Sequence, residues 1–270
     1  MSDELVVIGG GNMGAALAGG LLAGGVVEPS SLTIVEPSAP RRDELTRMFP
    51  GIAVSAEVAS CSSAVLAVKP AIVPIAAAAA ARAGATRVLS VAAGVTIASI
   101  TASITEAVGG GVAVLRTMPN TPALVGKGVA ALAGAPGTTD DDLAWAGAVL
   151  GSVGIVVRVT ESQLDAVTGL TGSGPAYVFL VAEALVDGGV LAGLPRDLVE
   201  PMVAQLLVGS AALLERDGDA AGLRAKVTSP GGTTAAGLRI LEERAVRAGF
   251  IDAVQAATAR SRELGANDAC

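Results

Sequence analysis

Residues 5–23 read LVVIGGGNMGAALAGGLLA, and this stretch decides the fold of the first half of the chain. The short aliphatic run Leu5–Ile8 predicts a buried strand, and the alanine- and leucine-rich residues from Met13 to Ala23 predict a helix. The turn between them, residues 9–14, has the spacing G-x-G-x-x-G. Such glycines permit a tight turn, close approach of a pyrophosphate to the backbone, and close packing of the helix on the strand. A plain strand-to-helix turn is the alternative, but the strand–motif–helix context favours a dinucleotide-binding site.

Short apolar runs recur through the first 160 residues and alternate with alanine-rich stretches. Apolar runs without polar alternation suit strands that are covered on both faces, as in a parallel sheet. The predicted strands are Leu5–Ile8, Leu32–Val35, Ala64–Val68, Arg87–Val91, Val112–Leu115 and Gly154–Val157. Segments such as 13–23 and 40–48 are long enough to be the crossover helices. Residues 1–160 are therefore predicted to form an α/β domain with a Rossmann-type, doubly wound parallel sheet.

Strand signals stop after Thr160. The segments predicted as helices are 162–169, 175–191, 195–215, 223–227, 233–243 and 246–264, with Gly or Pro at their boundaries. Residues 161–270 are therefore predicted to form a second, all-helical domain. No low-complexity linker separates the two halves, so we expect the domains to pack directly.

Composition excludes several classes of function. The chain has 18 Lys+Arg against 25 Asp+Glu, and its net charge of −7 makes nucleic-acid binding a poor hypothesis. It has no histidine, which excludes a Ser-His-Asp triad, His-ligated zinc and a histidine acid or base, and no metal site is predicted. Aromatic residues make up only 2% of the chain, so the core must be built from Ala, Val, Leu and Ile.

The sequence favours a cytoplasmic protein without a membrane segment. The mean hydropathy is +0.62, but the longest apolar run, Ala71–Ala81, is interrupted by Pro74 and is too short to span a bilayer. The first residues are acidic where a signal peptide would be basic. Cys61 and Cys270 are far apart and form no motif, which indicates a reducing compartment.

The residues after the second predicted strand leave the choice of dinucleotide open. Glu36 ends this strand, where an acidic side chain would hold the ribose 2′-hydroxyl of NAD. Arg41 and Arg42 follow, and they could accommodate the 2′-phosphate of NADP. A solvated helix start is the alternative explanation for Arg42. The predicted cofactor is therefore NADPH or NADH.

Loops that follow other strands are expected beside the nicotinamide, because ligands of open α/β sheets lie beyond the carboxyl ends of the strands. Lys69 could act as a catalytic lysine, but a role in cofactor binding or loop positioning is favoured. The segment Arg116–Pro122 follows another strand, and its turn could present polar groups in the cleft or merely end the strand. The predicted cofactor-binding residues are Ile8, Gly9, Gly11, Asn12, Met13, Gly14, Glu36, Arg41, Val68, Lys69, Pro70, Ala93 and Asn120.

The most unusual segment of the second half is Ser229–Thr234, which reads SPGGTT and precedes a predicted helix. Pro-Gly-Gly can turn sharply, and the threonine pair suits a helix N-terminus. Such a helix start presents several unpaired N–H groups and two hydroxyls, which together suit a carboxylate. An ordinary turn between two helices is the alternative.

Six motifs, in order along nearly the whole chain, resemble those of the pyrroline-5-carboxylate reductase family. They are Gly9-x-Gly11-Asn12-Met13-Gly14, Ala67-Val68-Lys69-Pro70, Ala92-Ala93-Gly94-Val95, Met118-Pro119-Asn120-Thr121-Pro122, Gly172-Ser173-Gly174-Pro175-Ala176-Tyr177 and Ser229-Pro230-Gly231-Gly232-Thr233-Thr234. The last is similar to the family signature and is the most specific of the six. We call it the signature loop.

The resemblance implies reduction of L-1-pyrroline-5-carboxylate to L-proline by hydride transfer from NADPH or NADH, the last step of proline biosynthesis. It also implies that the helical C-terminal domain interlocks with that of a second subunit, and that such homodimers can assemble into rings. Some relatives have Ser where this chain has Glu36, which weakens the transfer of an NADPH preference.

The resemblance further implies the substrate-binding residues. By motif position, the signature loop binds the substrate carboxylate near the dimer interface through the backbone N–H groups of Gly232 and Thr233. The Thr234 hydroxyl would approach the ring nitrogen as the catalytic group. Ser229 and Glu161 complete the implied substrate-binding set.

The absence of histidine suits this chemistry, because a cyclic imine is basic enough to be partly protonated near neutral pH and a cationic C=N group accepts hydride readily. Most carbonyl reductions need a proton donor instead. Two alternatives are a β-hydroxyacid dehydrogenase and a nucleotide-binding regulator without turnover. The first would need a lysine on a C-terminal-domain helix, whereas Lys226 is the only lysine of that half. The second would not need the signature loop.

Overall fold

The computed structural model describes residues 4–267. The strands are β1 (Leu5–Ile8), β2 (Leu32–Val35), β3 (Ala53–Ser55), β4 (Ser63–Leu66), β5 (Arg87–Ser90), β6 (Ala113–Met118), β7 (Gly128–Gly134) and β8 (Gly154–Arg158). The helices are α1 (Asn12–Ala23), α2 (Ala39–Met48), α3 (Val73–Arg82), α4 (Ile97–Val108), α5 (Asp140–Gly151), α6 (Leu164–Val167), α7 (Gly174–Leu191), α8 (Arg196–Asp217), α9 (Ala220–Lys226), α10 (Thr233–Glu243) and α11 (Val246–Asn267). Short 3₁₀ turns span Pro29–Ser31, Pro70–Ile72, Thr121–Val125 and Glu161–Gln163, and a π-helical turn spans Thr168–Gly172.

The described chain divides into two compact units: residues 4–173 with 256–267, and residues 174–255. The first unit contains one sheet of eight strands in the order β3-β2-β1-β4-β5-β6-β7-β8. All neighbouring strands in it are parallel except β6 and β7, which are antiparallel. The predicted Rossmann-type, doubly wound sheet is therefore confirmed, with the last two strands, β7 and β8, reversed relative to the other six.

The sheet is covered on both faces, as the continuous apolar runs predicted. Val6 and Ile100 belong to the core on one face, and Val7 and Leu17 belong to the core on the other. All four side chains are almost fully buried, and each burial contributes about 1.5–3 kcal/mol. Both cores consist almost entirely of Ala, Val, Leu and Ile.

Two strands of the sheet are absent from the sequence-based prediction. β7 reads GVAALAG, and glycine and alanine have low strand propensity, so packing rather than local preference makes it a strand. β3 has only three residues and pairs with β2 alone.

Residues 161–173 pack with the sheet, so the predicted domain boundary at residue 160 differs from the boundary between the compact units. The physical reason is burial: Leu164 is part of the core that contains α3 and α4. The last part of α11 also belongs to this unit, where the Ser261 hydroxyl donates to Asp165 Oδ1 at 2.7 Å. The single helix predicted over 162–169 is instead three short segments of different helical type.

The second unit is helical, and its own core is small, with Val186, Val199 and Val203 buried. Large apolar side chains of α7 and α8 are instead exposed, among them Phe179 at 63% and Val208 at 63%. The helical segments 161–191 and 196–217 are long and apolar enough to cross a membrane by length and composition alone. Exposed apolar helix faces such as these are typical of surfaces that contact another protein or a membrane.

Candidate active site

The predicted cofactor-binding residues lie at or just beyond the carboxyl ends of the parallel strands in the first unit's sheet. Val35, Ile8, Leu66, Ser90 and Arg116 are in register across the five parallel strands β2, β1, β4, β5 and β6. The loops that leave these strands therefore emerge side by side. Ile8 ends β1, and the first turns of α1 and α2 carry Asn12, Met13, Gly14 and Arg41. The loops carry the other predicted cofactor-binding residues, which are Gly9, Gly11, Glu36, Val68, Lys69, Pro70, Ala93 and Asn120.

The glycine-rich loop between β1 and α1 leaves no room for side chains at two positions. Gly9 has φ +109°, and a Cβ there would collide with the carbonyl group of Ala67. A Cβ at Gly14 would overlap the carbonyl oxygen of Gly9. Glycine is therefore required at both positions, because the loop, the helix and the neighbouring strand approach so closely.

The start of α1 is open to a ligand. Gly11 is the N-cap residue, no side chain caps the helix, and an added Cβ at Gly11 would meet no atom within 4 Å. The first N–H groups of a helix carry partial positive charge and have no partner within the helix. This cradle fits the pyrophosphate of a dinucleotide. Asn12 is exposed beside it, whereas the Met13 side chain packs against the core, so only its backbone is placed for the ligand.

The end of β2 is tied to the glycine-rich loop. The Gly10 N–H donates to Glu36 Oε2 at 3.1 Å, and the Ser38 N–H donates to Glu36 Oε1 at 2.9 Å. Arg41 Nε donates to the Gly10 carbonyl at 2.7 Å. Glu36 and Arg41 are therefore beside the loop, and both help to hold its shape.

The loops after β4 and β5 also place exposed residues at the carboxyl ends of the strands. Lys69 is exposed and immediately precedes the 3₁₀ turn Pro70–Ile72. Ala93 is also exposed, and Gly94 beside it has φ +82°. Val68 is only partly exposed and packs against the core.

Asn120 is buried, and both ends of its side-chain amide are bonded to backbone. Its Nδ2 donates to the Thr171 carbonyl at 3.1 Å, and its Oδ1 accepts from the Val129 N–H at 2.9 Å. In this structure Asn120 fixes the connection between β6 and β7 to the π-helical turn. π-Helical turns occur frequently at functional sites.

Arg116, which the sequence reasoning did not single out, forms an ion pair with Glu161. Arg116 Nη1 lies 3.1 Å from Glu161 Oε1, and the same oxygen accepts from the Ile97 N–H at 2.7 Å. Glu161 thus caps the start of α4 and neutralises a buried guanidinium at the carboxyl end of β6. Its carboxylate is engaged within the first unit, whereas the resemblance implied contact with substrate. A signal for this role is the charged Arg116, which follows directly on the apolar run Val112–Leu115.

Replacing Glu161 by alanine is expected to lower the free energy of unfolding by about 1–3 kcal/mol, because a buried guanidinium and a helix N-terminus lose their acceptor. Chemical denaturation measures this loss. Glu106→Ala makes the same charge change at an exposed position of α4 and should cost no more than about 0.5 kcal/mol. Equal losses from the two variants would show that the ion pair contributes nothing.

In the second unit, the signature loop forms a turn that leads directly into α10. Gly231 has φ +69°, and the Gly232 N–H donates to the Ser229 carbonyl at 3.0 Å. One of the two N–H groups predicted to bind a carboxylate is therefore used within the turn. Gly232 is the N-cap residue and no side chain caps the helix, so the N–H groups of Thr233 and Thr234 begin α10. Ser229 and Thr233 are exposed, and Thr234 is half-buried.

No group of three or more His, Cys, Asp or Glu side chains within residues 4–267 is placed to hold a metal ion. The buried thiol of Cys61 is also unsuited to chemistry, because desolvation raises its pKa.

The sheet, its glycine-rich loop and the helical second unit define a class of protein, the dinucleotide-dependent oxidoreductases with a Rossmann-type domain. Residues 4–94 match a family model described as "NADP oxidoreductase coenzyme F420-dependent", and residues 161–264 match "Pyrroline-5-carboxylate reductase dimerisation". The chain belongs to the pyrroline-5-carboxylate reductase family. It is 43% identical to a pyrroline-5-carboxylate reductase of Synechocystis over 98% of this chain and 99% of the relative.

Solved structures agree with this assignment. A pyrroline-5-carboxylate reductase from Coxiella burnetii has a TM-score of 0.89 at 31% identity, covering 98% of this chain and 99% of that one. Plasmodium falciparum pyrroline carboxylate reductase, solved with NADP bound, has a TM-score of 0.81 at 29% identity, covering 98% of both chains. The predicted family and an NAD(P)H-dependent reductase activity that converts pyrroline-5-carboxylate to proline are confirmed. The dimerisation family model indicates self-association.

Proposed function

We propose that the two units divide the work of this reduction between them. The glycine-rich loop and the neighbouring loops of the first unit would hold the dinucleotide, which supplies the hydride. The start of α10 in the second unit would hold the substrate carboxylate. The observation that carries this division is that both helix starts, at α1 and at α10, have a glycine N-cap and no capping side chain. Each therefore offers unpaired N–H groups to an anion.

The carboxylate of pyrroline-5-carboxylate would accept hydrogen bonds from the N–H groups of Thr233 and Thr234. Gly232 was predicted to contribute its N–H, but that group donates to Ser229 within the turn. Gly232 would instead keep the approach open, because any longer N-cap side chain would project at the helix start. Ser229 would act by fixing this turn through its carbonyl group.

The Thr234 hydroxyl would accept from the protonated ring nitrogen and orient it. A protonated cyclic imine already carries positive charge at the acceptor carbon, so no strongly acidic side chain is needed. The remaining requirement is geometric, since hydride transfer needs donor and acceptor carbons about 3–3.5 Å apart, with water excluded. This division of roles suits a chain that contains no histidine.

We propose that a second copy of the chain covers the exposed apolar faces of α7 and α8. Such dimers would assemble further into rings. The protein would then work in the cytoplasm without membrane contact. The support is the dimerisation family model over residues 161–264 together with exposed apolar residues on both helices, such as Leu180 at 64% and Leu206 at 54%. Sedimentation velocity without detergent tests this. Stable dimers or larger closed assemblies support it, and a soluble monomer or detergent-dependent aggregates contradict it.

A kinetic assay tests the proposed function. Purified protein is mixed with pyrroline-5-carboxylate and either NADH or NADPH, and the absorbance of the reduced nicotinamide is followed. Proline formation matched one to one with dinucleotide oxidation is the expected result. No oxidation with either dinucleotide would favour a binding protein without turnover.

A further inference from the structure

The groups at the end of β2 form one connected arrangement, and from it we infer that this chain prefers NADH to NADPH. This inference rests on the proposed function and specifies the dinucleotide that the first unit accepts. It concerns the place where the adenosine ribose of a dinucleotide lies in Rossmann-type domains, beyond the second strand and beside the glycine-rich loop.

Glu36 is fixed with its carboxylate against the loop. Its two oxygens accept from the N–H groups of Gly10 and Ser38, at 3.1 and 2.9 Å. A Cβ added at Gly10 would lie 3.1 Å from Glu36 Cβ, so the two segments are in close contact. A carboxylate has about four acceptor positions, and two remain for ribose hydroxyls. Glu36 is thus positioned to accept from a 2′-hydroxyl without rearrangement.

The two arginines that could serve a 2′-phosphate each use part of their N–H donors on acceptors of the protein. Arg41 donates through Nε to the Gly10 carbonyl at 2.7 Å, and its Nη1 lies 2.6 Å from Glu44 Oε2. Arg42 Nη1 donates to the carbonyl groups of Glu36 and Pro37, at 3.0 and 2.7 Å. These bonds hold the start of α2 to the end of β2.

The local charges therefore cancel, with Glu36 and Glu44 opposite Arg41 and Arg42. A 2′-phosphate would bring about two further negative charges next to the Glu36 carboxylate. A guanidinium could reach this phosphate only with the N–H donors that its present acceptors leave free. Like charges within a few ångströms at a partly exposed site disfavour binding by roughly tenfold or more. The 2′-hydroxyl of NADH meets no such repulsion and gains an acceptor.

Dissociation constants measured by isothermal titration calorimetry test this inference without turnover. The probes are NADH, NADPH, and the fragments ADP-ribose and 2′-phospho-ADP-ribose, each with the unmodified protein. The expected result is at least tenfold tighter binding of NADH and of ADP-ribose than of their 2′-phosphorylated counterparts. Because this comparison needs only the unmodified protein, equal affinities, or tighter binding of the phosphorylated forms, would by themselves overturn the inference.

A substitution assigns the preference to one side chain. Glu36→Gln keeps the size of the side chain and removes its charge, so the NADPH:NADH affinity ratio should rise at least tenfold. Glu28→Gln makes the same change at an exposed site before the amino end of β2 and should leave the ratio within twofold. An unchanged ratio in Glu36→Gln would contradict the assignment. Failure of the proposed function would give a different result. The protein would bind NADH tightly, but adding pyrroline-5-carboxylate would not oxidise it.

Discussion

Replacing Gly14 by alanine is expected to weaken dinucleotide binding by about 10- to 100-fold. The added Cβ would overlap the carbonyl oxygen of Gly9, so the glycine-rich loop must move away from the start of α1. Forcing one methyl group into a closely packed site costs about 1–3 kcal/mol, and each 1.4 kcal/mol corresponds to about tenfold in affinity. Calorimetric titration with NADH measures the change in affinity.

Gly147→Ala is the matched control for this variant. Both glycines lie inside helices of the first unit, and an added Cβ at Gly147 would meet no atom within 4 Å. Alanine is more favourable than glycine in a helix by about 1 kcal/mol, and both substitutions gain this helix propensity. Gly147→Ala should therefore leave affinity unchanged and stabilise the fold slightly. If Gly14→Ala also binds NADH normally, the close contact between Gly14 and the Gly9 carbonyl does not govern dinucleotide binding.

The second large effect is expected at Thr234. Thr234→Ala should lower kcat by about 10- to 100-fold, because the protonated ring nitrogen loses the group that orients it. The dissociation constant for the dinucleotide should stay within twofold, since Thr234 belongs to the second unit and the glycine-rich loop to the first. Steady-state kinetics with pyrroline-5-carboxylate, combined with titration of the dinucleotide, separate these two quantities.

Two further variants make this prediction specific. Thr234→Ser keeps the hydroxyl and should restore most of the turnover. Thr228→Ala removes a hydroxyl from the same segment, where Thr228 Oγ1 donates to the Arg224 carbonyl at 2.6 Å, and it should leave kcat within threefold. Equal loss of turnover and of dinucleotide affinity in Thr234→Ala would count against a substrate role for the signature loop.

Local patterns were sufficient to predict the first strand, the glycine-rich turn and the helix that follows it. Leu5–Ile8, the glycine spacing and the helix from Asn12 are neighbours in sequence, so their arrangement depends on short-range preferences. α10 begins at Thr233 and ends at Glu243, as predicted from the Pro-Gly-Gly boundary before it. The reversed strand β7 was missed because its alanine and glycine residues resemble a loop.

The roles of individual polar residues were harder to predict, because they depend on distant partners. Asn120 bonds to a carbonyl 51 residues further along the chain, and Glu161 caps a helix that begins 64 residues earlier. No local pattern indicates such pairs, since the sheet and its crossovers bring them together. Both residues lie near the predicted site, but the structure gives them bonds to backbone and to Arg116. Their proposed contacts to cofactor and substrate stay predictions.

We expect main-chain amides at the start of α10 to bind the carboxylate of the imino acid. A crystal structure of the protein with proline and a dinucleotide tests it most directly. The proline carboxylate is expected within about 3 Å of the backbone nitrogens of Thr233 and Thr234, with the ring nitrogen beside the Thr234 hydroxyl. Proline bound away from this helix start, with both N–H groups facing water, would contradict it.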